Sequence, residues 1–314
     1  MFIMVNVENG KEESMCPVCG SSDIDVFLDI IDVPVHCNLL WETRNNALRA
    51  PKSNISLTFC ENCEHIFNIA FNPDLMEYTQ QYENSLYFSK FFQSYAYESA
   101  ARLINTYDLH GKEIIEIGCG KGEFLKMLCE MGGNQGVGFD PSYEMVEQTM
   151  NTDSEITFIK DFYSERYSDY SADFICCRQV LEHIQYPHDF LINLRKSIGN
   201  KSNTVIFFEV PNVDFTLKDL GIWDLIYEHR SFFSKNSLVH LVNSCGFSTC
   251  NLIETFSGQF LCIEAVPDKF ANQEIKYSKN MKFNVEKFTE RFWDKIEIWQ
   301  KKVKMFEQSG QRVV

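Results

Sequence analysis

Between Glu113 and Pro267 the chain alternates short apolar runs with amphipathic stretches of helical period. The runs are Glu113–Ile117, the segment NQGVGFD that ends at Asp140, Ile156–Ile159, ADFICCRQV from Ala172 and TVIFFEV from Thr204. Runs rich in β-branched and aromatic residues and bounded by Gly, Asp and Asn read as strands, and the stretches between them as helices. Strand alternating with helix predicts an α/β fold with a doubly wound sheet, and such sheets bind ligands beyond the carboxyl ends of their strands. Two later segments, GFSTCNLIET and GQFLCIEAVP, read as a hairpin-like pair of strands.

The pattern changes on either side. Within 73–110, Phe88, Phe91, Phe92 and Tyr95 recur at spacings of three and four, and Ala96, Ala100 and Leu103 continue the stripe. This predicts a helical connector or lid with most of these side chains in the core, while Tyr78, Tyr82 and Tyr87 carry polar tips that could reach a ligand. Residues 1–72 hold two short strand-like runs, 25–28 and 55–58, and too little apolar sequence for a core of their own. In 268–314 a long helix carries Phe283, Phe288, Phe292, Ile296, Trp299, Val303 and Phe306 along one stripe. EQSGQRVV follows and reads as the opening of another strand, so this last piece is expected to begin a further, truncated domain. The expected units are thus 1–72, 73–110, 111–267 and 268–314. An exposed terminal stripe leaves monomer and homodimer both open.

Composition narrows the classes. With 45% hydrophobic and 14% aromatic residues the chain can bury a core, which excludes disorder. The 29 basic against 44 acidic residues give a net charge of −15, which opposes general affinity for phosphate backbones, so nucleic acid is not an expected partner. No apolar run approaches the roughly 20 residues that span a bilayer, and the first residues lack a basic flank, so no membrane partner and a cytoplasmic location are expected.

Eight of the 12 cysteines are scattered singly or inside apolar runs, as reduced buried thiols are. The other four form two knuckles, Cys16-Pro-Val-Cys19-Gly and Cys60-Glu-Asn-Cys63. Each knuckle brings two thiolates to one side of a tight loop, and two knuckles supply the soft ligands of a tetrahedral zinc ion. With no open position such a zinc ribbon is structural. A redox pair of motifs is the competing reading, and His36, Cys37 or His65 could replace one ligand.

The stretch KEIIEIGCGKGEFLKML passes from a strand through Gly118-Cys119-Gly120-Lys121-Gly122 into a helix near Glu123. A glycine turn between strand and helix lets a ligand approach the backbone closely. Glu116, two residues before the first glycine, would repel a pyrophosphate and suits a cationic ligand instead. Asp140, 24 residues beyond Glu116, ends the next strand, where a carboxylate can accept both hydroxyls of a ribose. The pattern E-x-G-x-G-x-G followed by that acidic residue resembles the class I S-adenosylmethionine-dependent methyltransferases, whose sheet is Rossmann-like. The resemblance implies that Glu116, Gly118, Cys119, Gly120 and Gly122 hold the methionine part and ribose edge, that Asp140 takes the ribose and that Asp161 faces the adenine amino group. Because a doubly wound sheet binds ligands beyond its strand ends, the residues after the fourth strand, Arg178, Gln179, Val180, Leu181, Glu182 and His183, are expected beside the reactive sulfonium. His183 could equally be a cap or a buried, hydrogen-bonded histidine.

After the fifth strand comes DLIYEHRSFFS, 224–234, where class I methyltransferases build their acceptor pocket. A histidine beside a carboxylate suits proton removal, because its ordinary pKa of about 6.5 lies near working pH and an anion stabilises the imidazolium. Together with the four-cysteine ribbon, this segment resembles the deoxysugar C-methyltransferases, which methylate C3 of a nucleotide-linked 4-keto-6-deoxysugar. That resemblance implies His229 as the base, Glu228 as its neighbour and His183 as a second histidine on the enolate oxygen. It also implies S-adenosylmethionine as cofactor, a structural zinc on Cys16, Cys19, Cys60 and Cys63, and a nucleotide sugar as the small-molecule substrate. Known members carry an extra residue before the Glu-His pair, which leaves Tyr227 without a role. The alternatives are an O- or N-methyltransferase of another small molecule or glycan, a non-catalytic binding module of the same fold, and a plain packed loop with Phe232 and Phe233 in the core and Glu228 paired to Arg230.

Overall fold

The computed structural model describes residues 15–37, 39–76, 85–144, 155–268 and 280–311. In the amino-terminal unit β1 (Ile24–Pro34) and β2 (Lys52–Cys60) pair antiparallel on either side of the short α1 (Arg44–Leu48), and β3 (Ile66–Asn68) adds to the far edge of β2. Both long strands outrun the runs 25–28 and 55–58. Asp29 and Asp32 interrupt the apolar pattern of β1, and the strand continues through them with two register shifts.

Each cysteine knuckle lies at a strand end, one before β1 and one after β2. Gly20 takes φ of +70°, the left-handed conformation that closes the first knuckle. Cys16 Sγ lies 3.6 Å from Cys63 Sγ, Cys19 Sγ lies 3.6 Å from Cys60 Sγ, and all four sulfurs lie within 4.8 Å of one another. Zinc–sulfur bonds of about 2.3 Å in a tetrahedron put sulfurs about 3.8 Å apart, so this donor set fits zinc. His36, Cys37 and His65 stand outside the group. His65 stacks on Phe67, and its Nε2 is 3.2 Å from Ser231 Oγ.

The helix α2 (Lys90–Tyr107) starts at Ser89, whose hydroxyl accepts from Phe92 N. It buries Phe92, Ala96, Ala100, Leu103 and Ile104. Phe88 and Phe91, expected on that stripe, are 78% and 65% exposed. The helix begins only after Phe88, and Phe91 falls one residue off the packed face. Tyr78 and Tyr82 lie outside the described residues.

Downstream the strands β4 (Glu113–Ile117), β5 (Gln135–Phe139), β6 (Ile156–Ile159), β7 (Phe174–Arg178) and β8 (Val205–Pro211) alternate with α3 (Glu123–Gly132), which follows β4, and α4 (Pro187–Ile198), which follows β7. After β8 come α5 (Val213–Asp219), the two-residue β9 (Ser231–Phe232), α6 (Lys235–Ser244), β10 (Phe247–Thr255), β11 (Phe260–Pro267) and α7 (Met281–Gln308). The sheet order is β10-β11-β8-β7-β4-β5-β6, parallel from β8 to β6, with β11 antiparallel to both of its neighbours. Every residue of β7 and β8 is buried, because helices cover both faces of a parallel sheet and leave its central strands no polar side. The chain order reverses between β4 and β7, which opens a crevice at their carboxyl ends.

Two contacts cross the expected unit boundaries. β9 pairs antiparallel with β3, Ile66 opposite Phe232 and Phe67 opposite Ser231, so the segment after the fifth core strand completes the amino-terminal sheet. In α7 the buried residues are Met281, Val285, Phe288 and Phe292, and they share one cluster with Leu28, Ile55, Leu57 and Tyr227. Phe283, Trp299, Val303 and Phe306 are exposed, so only part of the expected stripe packs. The last three residues lie outside the described ones.

Phe233, fully buried, joins the core sheet to Phe67 and the cysteine cluster. Phe233→Ala should therefore cost about 3–5 kcal/mol in urea unfolding. A loss below about 1 kcal/mol would mean that the two sheets are not joined through this side chain.

Candidate active site

A cavity of about 1120 Å³ opens at the carboxyl ends of β4, β5 and β7 and runs under the segment that leads into β9. Single-ligand pockets run to about 1,000 Å³, so there is room for two ligands side by side. On one side it is lined by Glu116, Gly118, Cys119, Gly120, Asp140, Asp161 and Gln179, and on the other by Glu182, His183, Asp224 and His229. Gly122 and Glu228 are not among its lining residues, and neither are Cys16, Cys19, Cys60 and Cys63.

The glycine loop is built by backbone demands. Gly118 has φ of +72°, and a Cβ there would stand 2.3 Å from Val180 Cγ2. Gly122, at φ of +79°, caps α3 against the ring of Phe158, where a Cβ would stand 2.4 Å away. Its role is clearance, which explains its absence from the wall. Gly120 N donates to Asp140 Oδ2 at 2.8 Å, and Ser142 N donates to Asp140 Oδ1 at 2.8 Å. Asp140 thus holds the loop and faces the same space. Burial pushes the Cys119 thiol up and keeps it neutral.

Glu116 is buried and accepts from Leu125 N at 3.0 Å. Desolvation pushes its carboxyl up to about 8, and the nearby Arg178 guanidinium partly offsets that. Asp161 accepts from Tyr167 Oη at 2.5 Å and pairs with Arg166. Gln179 takes a left-handed φ of +54°, and its Nε2 donates to Glu209 Oε1 at 3.2 Å.

Arg178, expected beside the sulfonium, forms with Glu209 a buried network that the sequence did not pair. Arg178 Nη2 donates to Glu209 Oε1 at 3.0 Å, its Nη1 donates to the Tyr87 hydroxyl at 3.3 Å, and its guanidinium lies 4.0 Å from the centre of the Phe124 ring. Tyr95 donates to the other oxygen of Glu209. The available signal was a lone charge near the end of each of two all-apolar strands. Of the three tyrosines with candidate polar tips, Tyr87 lies at the cavity.

On the acceptor side the structure brings His183 and His229 together, ring centres 4.8 Å apart and nearly perpendicular. His183 Nδ1 donates to Glu228 O at 3.0 Å, and His229 Nδ1 donates to Asp224 O at 2.8 Å. A carbonyl oxygen only accepts, so in each neutral ring the proton sits on Nδ1 and the lone pair on Nε2. Burial pushes His183 down to about 4, and burial together with the charge of His183 holds His229 well below the usual histidine range.

The Glu228 carboxylate does not serve His229. A turn, with His229 N donating to Ile226 O, sends the two side chains apart. Glu228 Oε1 accepts instead from Cys37 N at 3.2 Å and lies 3.9 Å from His36 Nδ1. The Arg230 guanidinium donates to Asn68 O and lies over Phe67. Tyr227 is 1% exposed, and its hydroxyl accepts from Asn72 N at 2.7 Å, a tie to the amino-terminal unit. Phe232 and Phe233 are packed in the core.

Among known proteins, a family model described as a methyltransferase domain matches residues 92–251, just over half of the chain. The chain is 26% identical over 103 residues to the ubiquinone biosynthesis O-methyltransferase of Rickettsia bellii, a match that covers 32% of this chain and 42% of that protein. With the enzyme of that name from Pasteurella multocida it shares 28% over 133 residues, 38% of this chain and 52% of the other. The matched region is thus about half the length of these relatives. A solved neighbour is the magnesium protoporphyrin IX methyltransferase of Synechocystis PCC 6803 with bound SAH, at 19% identity and a TM-score of 0.44 over 56% of this chain and 84% of that one. With its α/β Rossmann-like sheet and a family match spanning the glycine loop and both histidines, the chain belongs to the methyltransferase-domain family.

Proposed function

We propose that this chain is an S-adenosylmethionine-dependent methyltransferase that C-methylates a nucleotide-linked 4-keto-6-deoxysugar, with a structural zinc on Cys16, Cys19, Cys60 and Cys63. The observation that carries the reading is the neutral histidine pair, its Nδ1 protons tied to backbone carbonyls, in one cavity with Glu116 and the glycine loop. The donor's ammonium goes to Glu116, its ribose to Asp140 and its adenine toward Asp161, which leaves the sulfonium facing the histidines.

The chemistry follows from the acceptor. A 4-keto group acidifies the neighbouring C3 proton, and His229 Nε2 takes it. The C–H electron pair becomes an enolate, which attacks the methyl carbon in line while the sulfur keeps the electrons of the breaking bond. His183 lies beside His229 to support the enolate oxygen. The thiolates hold the zinc outside the cavity, where it fixes the knuckles and with them the sheet that β9 completes.

A second reading, methylation of oxygen, is favoured by the O-methyltransferase names of the relatives. Labelled S-adenosylmethionine and a panel of nucleotide 4-ketosugars separate the two. Label on carbon, with exchange of the C3 proton against solvent lost in His229→Ala, is the expected result. Label on oxygen, or undiminished exchange in that variant, would reject the carbon mechanism.

Glu116 sets a pH dependence. Its carboxyl is raised to about 8 in the protein, so the protonated acid predominates below that pH, whereas an ammonium requires the anion. Affinity for the product S-adenosylhomocysteine, which carries the ammonium and no sulfonium, should fall as pH drops below about 8, by up to about tenfold per unit, and Glu116→Gln should bind weakly with a flat profile. Titration calorimetry from pH 6 to 9 measures this, and a profile unchanged by the substitution would remove Glu116 from the ammonium site.

Metal analysis should find one zinc per chain, lost in Cys60→Ser. Because the knuckles frame β1 and β2, stripping it with a chelator should lower the melting temperature. A full complement of zinc in that variant would place the metal elsewhere.

A further inference from the structure

When His229 takes a proton it becomes a cation inside a desolvated wall, and the carboxylate next to it in sequence is turned away toward Cys37 and His36. Glu182 stands beside the pair. It lies in the 3-10 turn Leu181–His183 that follows β7, lines the cavity and is 1% exposed. One carboxyl oxygen lies within 4.8 Å of a ring nitrogen of His183 and of one of His229, and its Oε2 has no hydrogen-bond partner among the described residues. Arg230 N donates to Glu182 O at 2.9 Å, so the turn is locked by backbone to the residue that follows His229.

A buried carboxyl without a hydrogen-bond partner for one oxygen is costly as an anion and needs a cation nearby. The sulfonium of the proposed donor is such a cation. We propose that Glu182 is the positioning carboxylate of the histidine pair, and that it ionises when a sulfonium occupies the cavity, so that an anion is in place when His229 accepts the proton of the acceptor.

The proton count closes. Donor binding drives the Glu182 proton to solvent, and the acceptor C–H proton passes to His229. The methyl group leaves sulfur, the positive charge of the sulfonium disappears, and His229 can return its proton to Glu182. One proton is released per methyl transferred, as replacing C–H by C–CH₃ with a sulfonium donor requires. In the free protein burial, with the charges of Asp224 and Glu209, holds the Glu182 carboxyl well above its ordinary range, which keeps that proton in place. The other charged groups around it behave differently. Glu209 is paired with Arg178, Asp224 is raised only to about 6, and His183 and His229 stay neutral.

This inference rests on the methyl-donor reading, and comparing donor with product separates the two. S-adenosylmethionine and S-adenosylhomocysteine share the amino acid and the nucleoside, so the contribution of Glu116 is common to both, and only the former carries the sulfonium. Calorimetric titrations of the full chain at pH 7, in buffers of different ionisation enthalpy, count the protons released by each ligand. The methyl donor should release about one proton more than the product, and Glu182→Gln should abolish the difference while still binding both. Equal release by the two ligands on the unsubstituted protein would overturn the inference and leave the donor reading standing. Failure of either ligand to bind would overturn both.

Discussion

The two-residue pairing of β9 with β3 is the constraint on which the rest depends. Ile66 and Phe67 come from β3, just after the second cysteine knuckle, and Ser231 and Phe232 come from the connection after the fifth core strand. The ladder therefore fixes where that connection runs, and His229 stands two residues before it. Glu228 reinforces the same tie through Cys37 and His36, Tyr227 through Asn72, and Arg230 through Asn68. Residues that looked like one catalytic string divide into anchors and a histidine that lines the cavity. The cysteine sheet is in this sense part of the active site, although none of its four cysteines reaches the cavity.

The cavity itself is organised by burial. Glu116 and Glu182 are kept from ionising by desolvation, and His183 and His229 by the same cause with the opposite sign. The result is a wall of neutral acids and bases waiting for a charge. A cationic donor supplies it, because carboxyls that are costly as anions alone are favourable beside an ammonium or a sulfonium. Arg178 serves the same scheme from below, its charge balanced by Glu209 so that Glu116 is left for a ligand.

Much of the sheet was legible in the sequence because parallel strands buried on both faces read as apolar runs, as FICCR and VIFFEVP do. The glycine loop was legible because left-handed turns and close approaches admit little else, and the knuckles because their spacing is set by metal geometry. The pairing of β9 was not. It joins residues more than 160 positions apart through four backbone positions, and periodicity carries no trace of that. The direction of Glu228 was hidden for a related reason, since adjacency in sequence says nothing about a turn that separates two side chains. Phe88 and Phe91 continued a helical stripe on paper, but the helix starts at Lys90 and its packed face begins at Phe92. Glu182 was expected near the sulfonium with its neighbours but given no role, because a lone Glu before a His is an ordinary dipeptide until the fold brings His229 alongside.

The central claim is that one cavity presents a cationic methyl donor to the histidine pair. A crystal structure of the chain with S-adenosylhomocysteine tests it most directly. The ammonium should lie on Glu116, the ribose hydroxyls on Asp140, and the sulfur should face His183 and His229 across open space that an acceptor can fill. A sulfur walled off from both histidines, or a ligand bound outside this crevice, would contradict it.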